Sequence, residues 1–334
     1  MDPSNPPLGD QGVVIRKHIG SCTVRVDGRL IPCALSNKLR KELIYSTADP
    51  ASMRRAVQDV RVHEHEDPIA VGDVVRFVDA GDGTGLVVAV LPRRNRLARR
   101  DPYPGRHKFE HVIAANLDQV VAVLAAARPA PKWNLLDRYL AAAESLDLPA
   151  LICITKLDLA PDGDEELHAA LDEYRRIGYP VVLTSAFTGT GLDELQEALR
   201  GRLSVLAGKS GVGKTALLNA LEPGLGLRVG AVGSGKVGKG KHTTTQVEMI
   251  PLRIGGDLVD TPGTREFGLW DVDEDDLALF FPEMRPFVGQ CRFGLDCQHD
   301  EEPGCAIRKA VMAGEIGPRR YQSYMQLKQE VSFL

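Results

Sequence analysis

The sequence lacks a long hydrophobic run. Its longest apolar stretch, VVAVLAAA from Val120 to Ala127, is far shorter than the roughly 20 residues that a membrane-spanning helix needs. The opening MDPSNPPLGDQG also lacks the positively charged segment followed by an apolar one that a secretion signal requires. We therefore expect a cytoplasmic protein with no membrane partner.

The sequence also lacks an excess of charge of one sign. Its 41 Lys and Arg residues nearly balance 45 Asp and Glu residues, which leaves a net charge of −4. A nucleic-acid partner would therefore be bound by local basic patches, because the charge does not make the whole surface positive. Of only six cysteines, Cys291, Cys297 and Cys305 fall within fifteen residues of one another. That clustering favours a metal site over a set of disulfides.

A length of 334 residues with 43% hydrophobic content predicts two or three domains with buried cores. Residues 1–11 are rich in Pro and Gly, and we expect them to be disordered. Residues 12–91 contain short alternating strands with turns at Asp27-Gly28 and Asp82-Gly83, which is typical of a small β-barrel. The specific expectation is an oligonucleotide-binding (OB) barrel that binds RNA; another kind of small barrel is the alternative.

An arginine-rich linker, residues 92–109, follows the predicted barrel. It is either a solvated hinge or a segment that grips RNA phosphates. From residue 110 to 280, buried strands alternate with amphipathic helices, which predicts a parallel sheet with helices on both faces. We expect Asn134 to cap the first of these helices. The apolar stripes of the helices are Leu136, Tyr139, Leu140 and Ala143, then Leu167, Leu171 and Tyr174, then Leu192, Leu195 and Leu199.

The stretch GKSGVGKT matches the phosphate-binding pattern G-x-x-x-x-G-K-[ST] in full, between a strand-like LSVLA and a helix-like TALLNAL. Glycines let the backbone wrap closely around phosphate oxygens, Lys214 neutralises the β- and γ-phosphates, and Thr215 ligates Mg²⁺. A chance glycine-rich turn is the alternative. The loop residues expected to bind nucleotide are Gly208, Lys209, Ser210, Gly211, Val212, Gly213, Lys214 and Thr215.

Two segments downstream of this loop have the features of a nucleotide-dependent switch. The strand-like GGDLVDTPG ends in Asp260, which can hold Mg²⁺ through water, and the N–H of Gly263 can meet a γ-phosphate. Before it, VGSGKVGKGKHTTTQ carries Thr243 and Thr244, candidates to join the Mg²⁺ shell while the γ-phosphate is present. A plain turn and an ordinary flexible loop are the respective alternatives.

Base recognition is predicted upstream of the phosphate loop. GTPases form a guanine pocket from an [NT]-K-x-D segment and an S-A segment, and this chain has Thr155, Lys156 and Asp158 in one and Ser185 and Ala186 in the other. The carboxylate accepts from guanine N1–H and the 2-amino group, and the lysine stem lies over the ring. Adenine lacks that paired donor edge, so an unpaired carboxylate would disfavour ATP by ~1–3 kcal/mol or more.

The base motifs precede the phosphate motifs, whereas an ordinary GTPase has the reverse order. We infer a circularly permuted GTPase domain, because ligands of an open α/β sheet bind at the carboxyl ends of its strands regardless of chain order. The switch segment after Asp260 then leads directly into the C-terminal region, residues 281–334. A movement that depends on the γ-phosphate can thus be passed to that region.

The C-terminal region opens with CRFGLDCQHDEEPGC, which places Cys291, Cys297, His299 and Cys305 as candidate metal ligands. Three thiolates and one imidazole make a closed tetrahedral shell of the structural zinc kind. Unrelated reduced cysteines are the alternative. The remainder is predicted to form short helices with Arg319, Arg320 and Lys328 exposed.

A β-barrel, a permuted GTPase with GKSGVGKT, KHTTT and DTPG, and the segment CRFGLDCQHDEEPGCAIRKAV together resemble the YjeQ/YloQ (RsgA) family of ribosome small-subunit-dependent GTPases. The resemblance implies GTP and GDP as ligands, Mg²⁺, one structural Zn²⁺, and binding to the 30S subunit and its 16S rRNA late in assembly. It further implies hydrolysis that the subunit stimulates and that releases the protein, with contact to other assembly factors left open. Nothing in the single nucleotide site requires a dimer, so we expect a monomer.

Two positions depart from the usual GTPase pattern. Thr155 stands where Asn is commoner, and Thr264 stands where Ras-like proteins place the Gln that orients water. Our hypothesis is that His242 orients the attacking water in place of this Gln. Lys214 is the second expected catalytic residue, through its contact with the phosphates. The alternative is that His242 binds rRNA or only shapes its loop. A second function class is also open, a GTP-controlled RNA-binding module in which hydrolysis is only a timer.

Overall fold

The computed structural model describes residues 9–18, 20–45, 57–62, 68–100, 110–161, 163–225, 247–260 and 272–332. The chain divides into two compact units. The first consists of the described parts of Met1–Leu117 and Thr243–Ile250, and the second of the described parts of Asp118–His242 and Pro251–Leu334.

The first unit contains a closed five-stranded barrel. Its strands are β1 (Asp10–His18), β2 (Ser21–Val26), β3 (Arg29–Leu35), β6 (Val74–Asp79) and β7 (Gly85–Val90). They pair in the order β1-β2-β3-β7-β6, and β6 returns to β1 to close the barrel. All pairs are antiparallel except β3 with β7, so the prediction of an OB-type barrel is confirmed.

The core of this barrel is formed largely by its strands, because successive side chains of a strand alternate between its two faces and every second one points inward. The inward residues are Val14, Cys22, Val24, Ile31, Cys33, Ile69, Val75, Phe77 and Val87. The tight turn between β2 and β3 falls at Asp27 and Gly28, as predicted, and both residues have positive φ values, 47° and 77°. That backbone twist matches the twist of the two strands.

Two further antiparallel strand pairs and nearly all of a short strand belong to the first unit. The hairpins are β4 (Lys41–Tyr45) with β5 (Val57–Val62), and β8 (Arg96–Arg100) with β9 (Glu110–Ala115). The predicted linker thus contains a strand, in which Leu97 is buried. The short strand β14 (Glu248–Pro251) pairs with β1 at Arg16 and Glu248.

The second unit is built on a parallel sheet in the order β12-β11-β10-β13-β15. The strands are β10 (Gln119–Ala125), β11 (Ala150–Thr155), β12 (Val181–Leu183), β13 (Leu203–Ala207) and β15 (Asp257–Asp260). The four neighbouring pairs in this order are all parallel, so all five strands end at one edge of the sheet. The strands β10 and β11 are buried along their whole length, as expected of a sheet covered on both faces.

The helices of this unit are α1 (Trp133–Glu144), α2 (Glu165–Ile177), α3 (Leu192–Leu199), α4 (Lys214–Leu221), α5 (Ala306–Met312) and α6 (Pro318–Ser332). The predicted stripes of α1 and α2 are buried. The prediction that Asn134 caps α1 is wrong, because the helix begins at Trp133 and the Asn134 amide instead donates to Gln326 of α6. None of the helices in the described ranges has the length and apolar character of a membrane span.

The prediction that Arg319, Arg320 and Lys328 are exposed on short helices is wrong. They lie on α6, a helix of 15 residues that packs against the rest of the unit. Arg320 and Lys328 are buried, and the side chain of Arg319 is only 28% exposed. Carboxylates and carbonyl oxygens from distant segments pair with all three cations, which makes their burial favourable.

Candidate functional site

The phosphate-binding loop connects β13 to α4, which begins at Lys214. Gly211 and Gly213 have φ values of 87° and 103°, a backbone region that strongly favours glycine. A Cβ atom on Gly208 would lie 2.6 Å from the carbonyl oxygen of Val123. The glycines of the motif therefore permit both the turn itself and its close approach to β10.

Positive charge is concentrated at this loop. The Lys214 ammonium donates to the carbonyl oxygen of Gly208 and lies 3.3 Å from that of Lys209. The N–H groups at the start of α4 lie at the same place, where they have no partner within the helix. An anion in the loop would meet both, and Thr215 follows Lys214 directly in the first turn of α4.

The two predicted base-reading segments follow the parallel neighbours β11 and β12. Asp158 lies in a 3₁₀ turn, and its Oδ1 accepts from the Ser185 hydroxyl at 2.5 Å. The Ser185 oxygen in turn accepts from the N–H groups of Phe187, at 3.2 Å, and Thr188, at 3.1 Å. The carboxylate and the turn that contains Ala186 are thus held together in one hydrogen-bonded unit.

The first predicted base-reading segment and the predicted phosphate loop are in direct contact. The Thr155 hydroxyl donates to the carbonyl oxygen of Val212 and lies 3.2 Å from that of Leu124. The Lys156 ammonium donates to the carbonyl oxygen of Gly211 at 2.6 Å. Residues that are more than fifty positions apart therefore meet at the edge of the sheet where β11 and β13 end.

A cleft of about 560 Å³ opens between these elements. It is lined by residues of both base-reading segments and of α4, namely Thr155, Lys156, Asp158, Leu159, Ala186, Phe187, Gly213, Ala216, Leu217, Asn219 and Ala220. Sequence reasoning missed Leu159, Phe187 and the α4 residues. Leu159 and Phe187 directly follow the motif residues Asp158 and Ala186, and that adjacency was the available signal.

Asp260 is the last residue of β15, which pairs in parallel with β13. The register places Val259 opposite Val205, so Asp260 is at the same sheet edge as the phosphate loop. The predicted residues His242, Thr243, Thr244 and Gly263 lie outside the described residues.

The four predicted metal ligands, Cys291, Cys297, His299 and Cys305, are buried together, with their ligand atoms within 4.8 Å of one another. The sulfurs of Cys291 and Cys305 are 3.9 Å apart, and His299 Nδ1 lies 3.5 Å from the first and 3.6 Å from the second. Thiolates bound at about 2.3 Å to a tetrahedral zinc ion lie about 3.8 Å apart. The donor set and its spacing therefore fit a zinc ion.

The surroundings of this cluster suit bound thiolates. The N–H of Ala306 donates to Cys291 Sγ at 3.2 Å, and that of Arg308 donates to Cys305 Sγ at 3.4 Å, at the start of α5. Burial lowers the pKa of His299, which favours the neutral imidazole that a metal needs. Burial also raises the pKa of the Cys297 thiol to about 12, so its thiolate form depends on a cation beside it.

The backbone around the cluster is fixed by α6. The Tyr321 hydroxyl donates to the carbonyl oxygen of His299 at 2.6 Å, and the Lys328 ammonium donates to that of Gln298 at 2.8 Å. Lys328 also lies 3.5 Å from the carboxylate of Glu274, which follows the predicted switch segment in the chain. The cluster, α6 and Glu274 are therefore joined within one unit.

Comparison with known proteins agrees with this geometry. The model of the family described as RsgA GTPase matches residues 90–270. A Gemmatimonas aurantiaca protein named small ribosomal subunit biogenesis GTPase RsgA is 48% identical over 266 residues, which are 79% of this chain and 84% of that protein. A Pseudomonas aeruginosa protein of the same name is 45% identical over 260 residues, which are 78% of this chain and 75% of that protein.

Two solved structures share the fold over nearly the whole chain. YjeQ from Thermotoga maritima has a TM-score of 0.74 at 32% identity and covers 97% of this chain and 99% of its own. YloQ, described as a circularly permuted GTPase, has a TM-score of 0.69 at 29% identity and covers 99% and 98%. The permuted order of the motifs is thus shared with a solved relative. The chain belongs to the RsgA family of circularly permuted GTPases.

Proposed function

We propose that this protein binds and hydrolyses GTP and that it acts on the small ribosomal subunit during assembly. The observation that carries the proposal is the contact of Thr155 and Lys156 with the phosphate loop, because it joins a base-reading segment to a phosphate-reading one. Two relatives bear the name small ribosomal subunit biogenesis GTPase, which supports the choice of subunit.

In this proposal the guanine base lies in the cleft beside Asp158. The carboxylate accepts from N1–H and the 2-amino group, and its Ser185 partner keeps it in place. The Lys156 stem lies along the base, and a backbone N–H near Ala186 donates to O6. Ribose and phosphates then extend along α4 to the loop, where Lys214 neutralises the transferred group.

Mg²⁺ would be held by the Thr215 hydroxyl and, through water, by Asp260. Both residues are at the carboxyl edge of adjacent strands, and hydroxyl and carboxylate oxygens are ligands that Mg²⁺ prefers. When bound, the ion would reduce the negative charge of the phosphates that repels the attacking water. We assign Thr243, Thr244 and Gly263 to contacts that depend on the γ-phosphate.

We further propose that His242 orients the attacking water, since Thr264 stands where Ras-like proteins have Gln. His242→Ala should leave the dissociation constant for GTP near the wild-type value and remove the hydrolysis that the subunit stimulates. Stimulation that survives in His242→Ala would refute this role. His242 would then be assigned to rRNA binding or to the shape of its loop.

The Cys291, Cys297, His299 and Cys305 cluster holds one structural zinc ion in this proposal. Four protein ligands leave no position open for substrate, so the ion fixes the fold of residues 291–305 and takes no part in hydrolysis.

The barrel contacts 16S rRNA, and the protein acts as a monomer in the cytoplasm, where subunits mature. Its release from the particle follows hydrolysis.

The test is steady-state GTP hydrolysis by the purified protein alone, with 30S subunits and with 50S subunits. Strong stimulation by 30S and not by 50S is expected, because the particle completes the site. GTP binding with equal rates in all three reactions would refute the coupling to the small subunit. In that case a GTP-controlled RNA-binding module, in which hydrolysis is only a timer, becomes the better description.

A further inference from the structure

Phe187 is a large apolar side chain in an unfavourable place. It is 88% exposed, more than any other large apolar residue among those that the structure describes. It also lines the nucleotide cleft, together with Leu159, which is 43% exposed. Two exposed apolar side chains that line the same cleft are typical of a surface that a ligand covers.

The backbone that carries this ring is fixed although the ring itself is exposed. The Phe187 N–H donates to the Ser185 oxygen, and the Ser185 hydroxyl donates to Asp158 Oδ1. The backbone from which the ring extends is therefore positioned by the same hydrogen bonds that position the Asp158 carboxylate. A base aligned on Asp158 would lie within reach of this side chain.

The remaining walls of the cleft leave room for a flat ring. Lys156 is held at both ends, because its backbone carbonyl oxygen accepts from the N–H of Leu159 at 2.9 Å and its ammonium donates to the Gly211 carbonyl oxygen. The α4 side contributes the small side chains of Ala216 and Ala220. The polar side chains of the lining are Thr155, Lys156, Asp158 and Asn219. The other lining side chains offer apolar surface, which suits the face of a heterocycle and not its edge.

We propose that Phe187 is a base-contacting residue whose ring packs against the purine of the bound nucleotide. The inference rests on the proposed function, since it takes guanine nucleotides as the ligand of the cleft. Stacking uses the π face, which guanine, hypoxanthine and xanthine share, whereas Asp158 reads the edge at which they differ. Phe187 should therefore add affinity for every purine nucleotide without choosing among them.

The experiment measures dissociation constants of the full-length, Mg²⁺- and zinc-loaded protein for GDP and IDP by calorimetry. Phe187→Ala should raise both constants by the same factor, about tenfold, equivalent to about 1.4 kcal/mol. Phe187→Tyr should bind as the wild type does, because its ring is kept. Phe187→Leu keeps an apolar side chain without a π face and should lie between wild type and Phe187→Ala.

The matched control is Met312→Ala, which truncates another exposed apolar side chain, 78% exposed and outside the residues that line the cleft. It should leave both dissociation constants unchanged. Wild-type affinity in Phe187→Ala would overturn the inference. A loss of unfolding free energy in nucleotide-free Phe187→Ala as large as its loss of binding free energy would also overturn the inference, since the role would then be structural.

A fluorescent variant separates this inference from the proposed function. Phe187→Trp places a fluorophore at the position, and its emission should change on addition of GDP beyond the change in the wild type. If the wild type and all Phe187 variants bind GDP but the emission of Phe187→Trp shows no additional change, the base contact alone is overturned. Failure of the wild type itself to bind GDP or GTP would overturn the proposed function.

Discussion

The guanidinium of Arg320 donates to the carboxylate of Asp137 at 2.7 Å, and both side chains are buried, with exposures of 1% and 0%. A second carboxylate, that of Glu283, accepts from the same guanidinium at 2.6 Å. The guanidinium carbon also lies 4.5 Å from the ring centre of Phe281. A single residue of α6 thus joins the C-terminal region to α1 of the GTPase fold.

Arg320→Ala should lower the free energy of unfolding by about 3–5 kcal/mol, because it leaves two carboxylates buried without their cation. Urea denaturation of the purified protein measures this loss. Arg175→Ala is the control, since Arg175 pairs with Asp172 at the exposed surface of α2 and should cost less than about 0.5 kcal/mol. Equal losses in the two variants would show that the buried pair does not hold α6 in place.

Arg320 also shows what the sequence could not predict. The sequence predicts that arginines on this helix are exposed, because a buried arginine needs acidic partners and the local sequence does not identify them. The actual partners of Arg320, Asp137 and Glu283, lie 183 and 37 positions away. Periodicity, by contrast, is local, so the buried face of α1 with Leu136 and Tyr139 was predicted correctly. The cluster of four candidate zinc ligands was predictable for the same reason, because all four residues fall within one short segment.

The nucleotide site was predictable as a set of motifs but not as a cleft. Thr155 and Val212 belong to motifs that sequence reasoning treated separately, and the parallel sheet explains why they meet. The hydrogen bond between them needed the structure, since nothing in the pattern of either motif specifies it. The exposure of Phe187 is likewise a property of the folded cleft.

Thr155→Val should weaken GDP binding about three- to tenfold, because it removes the hydrogen bond that holds the phosphate loop to the base-reading segment. Equilibrium titration with GDP measures the effect. Thr184→Val is the matched control, because its buried hydroxyl donates to the Ile154 carbonyl oxygen at 3.0 Å and not to the loop. The same loss of affinity in both variants would argue that only the stability of the sheet is affected.

Cys297→Ala should reduce the zinc content from about one ion per chain to near zero, because three ligands hold the ion far more weakly than four. It should also lower the melting temperature, since metal binding is coupled to folding of residues 291–305. Elemental analysis and thermal unfolding measure the two effects. Cys22→Ala removes a buried cysteine of the barrel and should keep its zinc. Equal zinc content in the two variants would contradict the assignment.

Cys153 makes the free energy of unfolding depend on pH. Burial raises the pKa of this thiol to about 12, whereas an unfolded cysteine titrates near about 8.5. Below the unfolded value the thiol is protonated in both states, so its stabilising contribution is fully present. As the pH rises above it, the unfolded chain releases a proton that the folded chain retains, and the free energy of unfolding falls until the folded thiol also titrates.

Wild type should therefore lose about 1 kcal/mol more than Cys153→Ala between pH 9 and pH 10, as measured by urea denaturation at each pH. Val182→Ala is the matched control, because Val182 is the register partner of Cys153 on β12 and its truncation also opens space in the sheet. It keeps the thiol and should show the pH dependence of the wild type. If Cys153→Ala loses as much stability as wild type over this range, another group accounts for the effect.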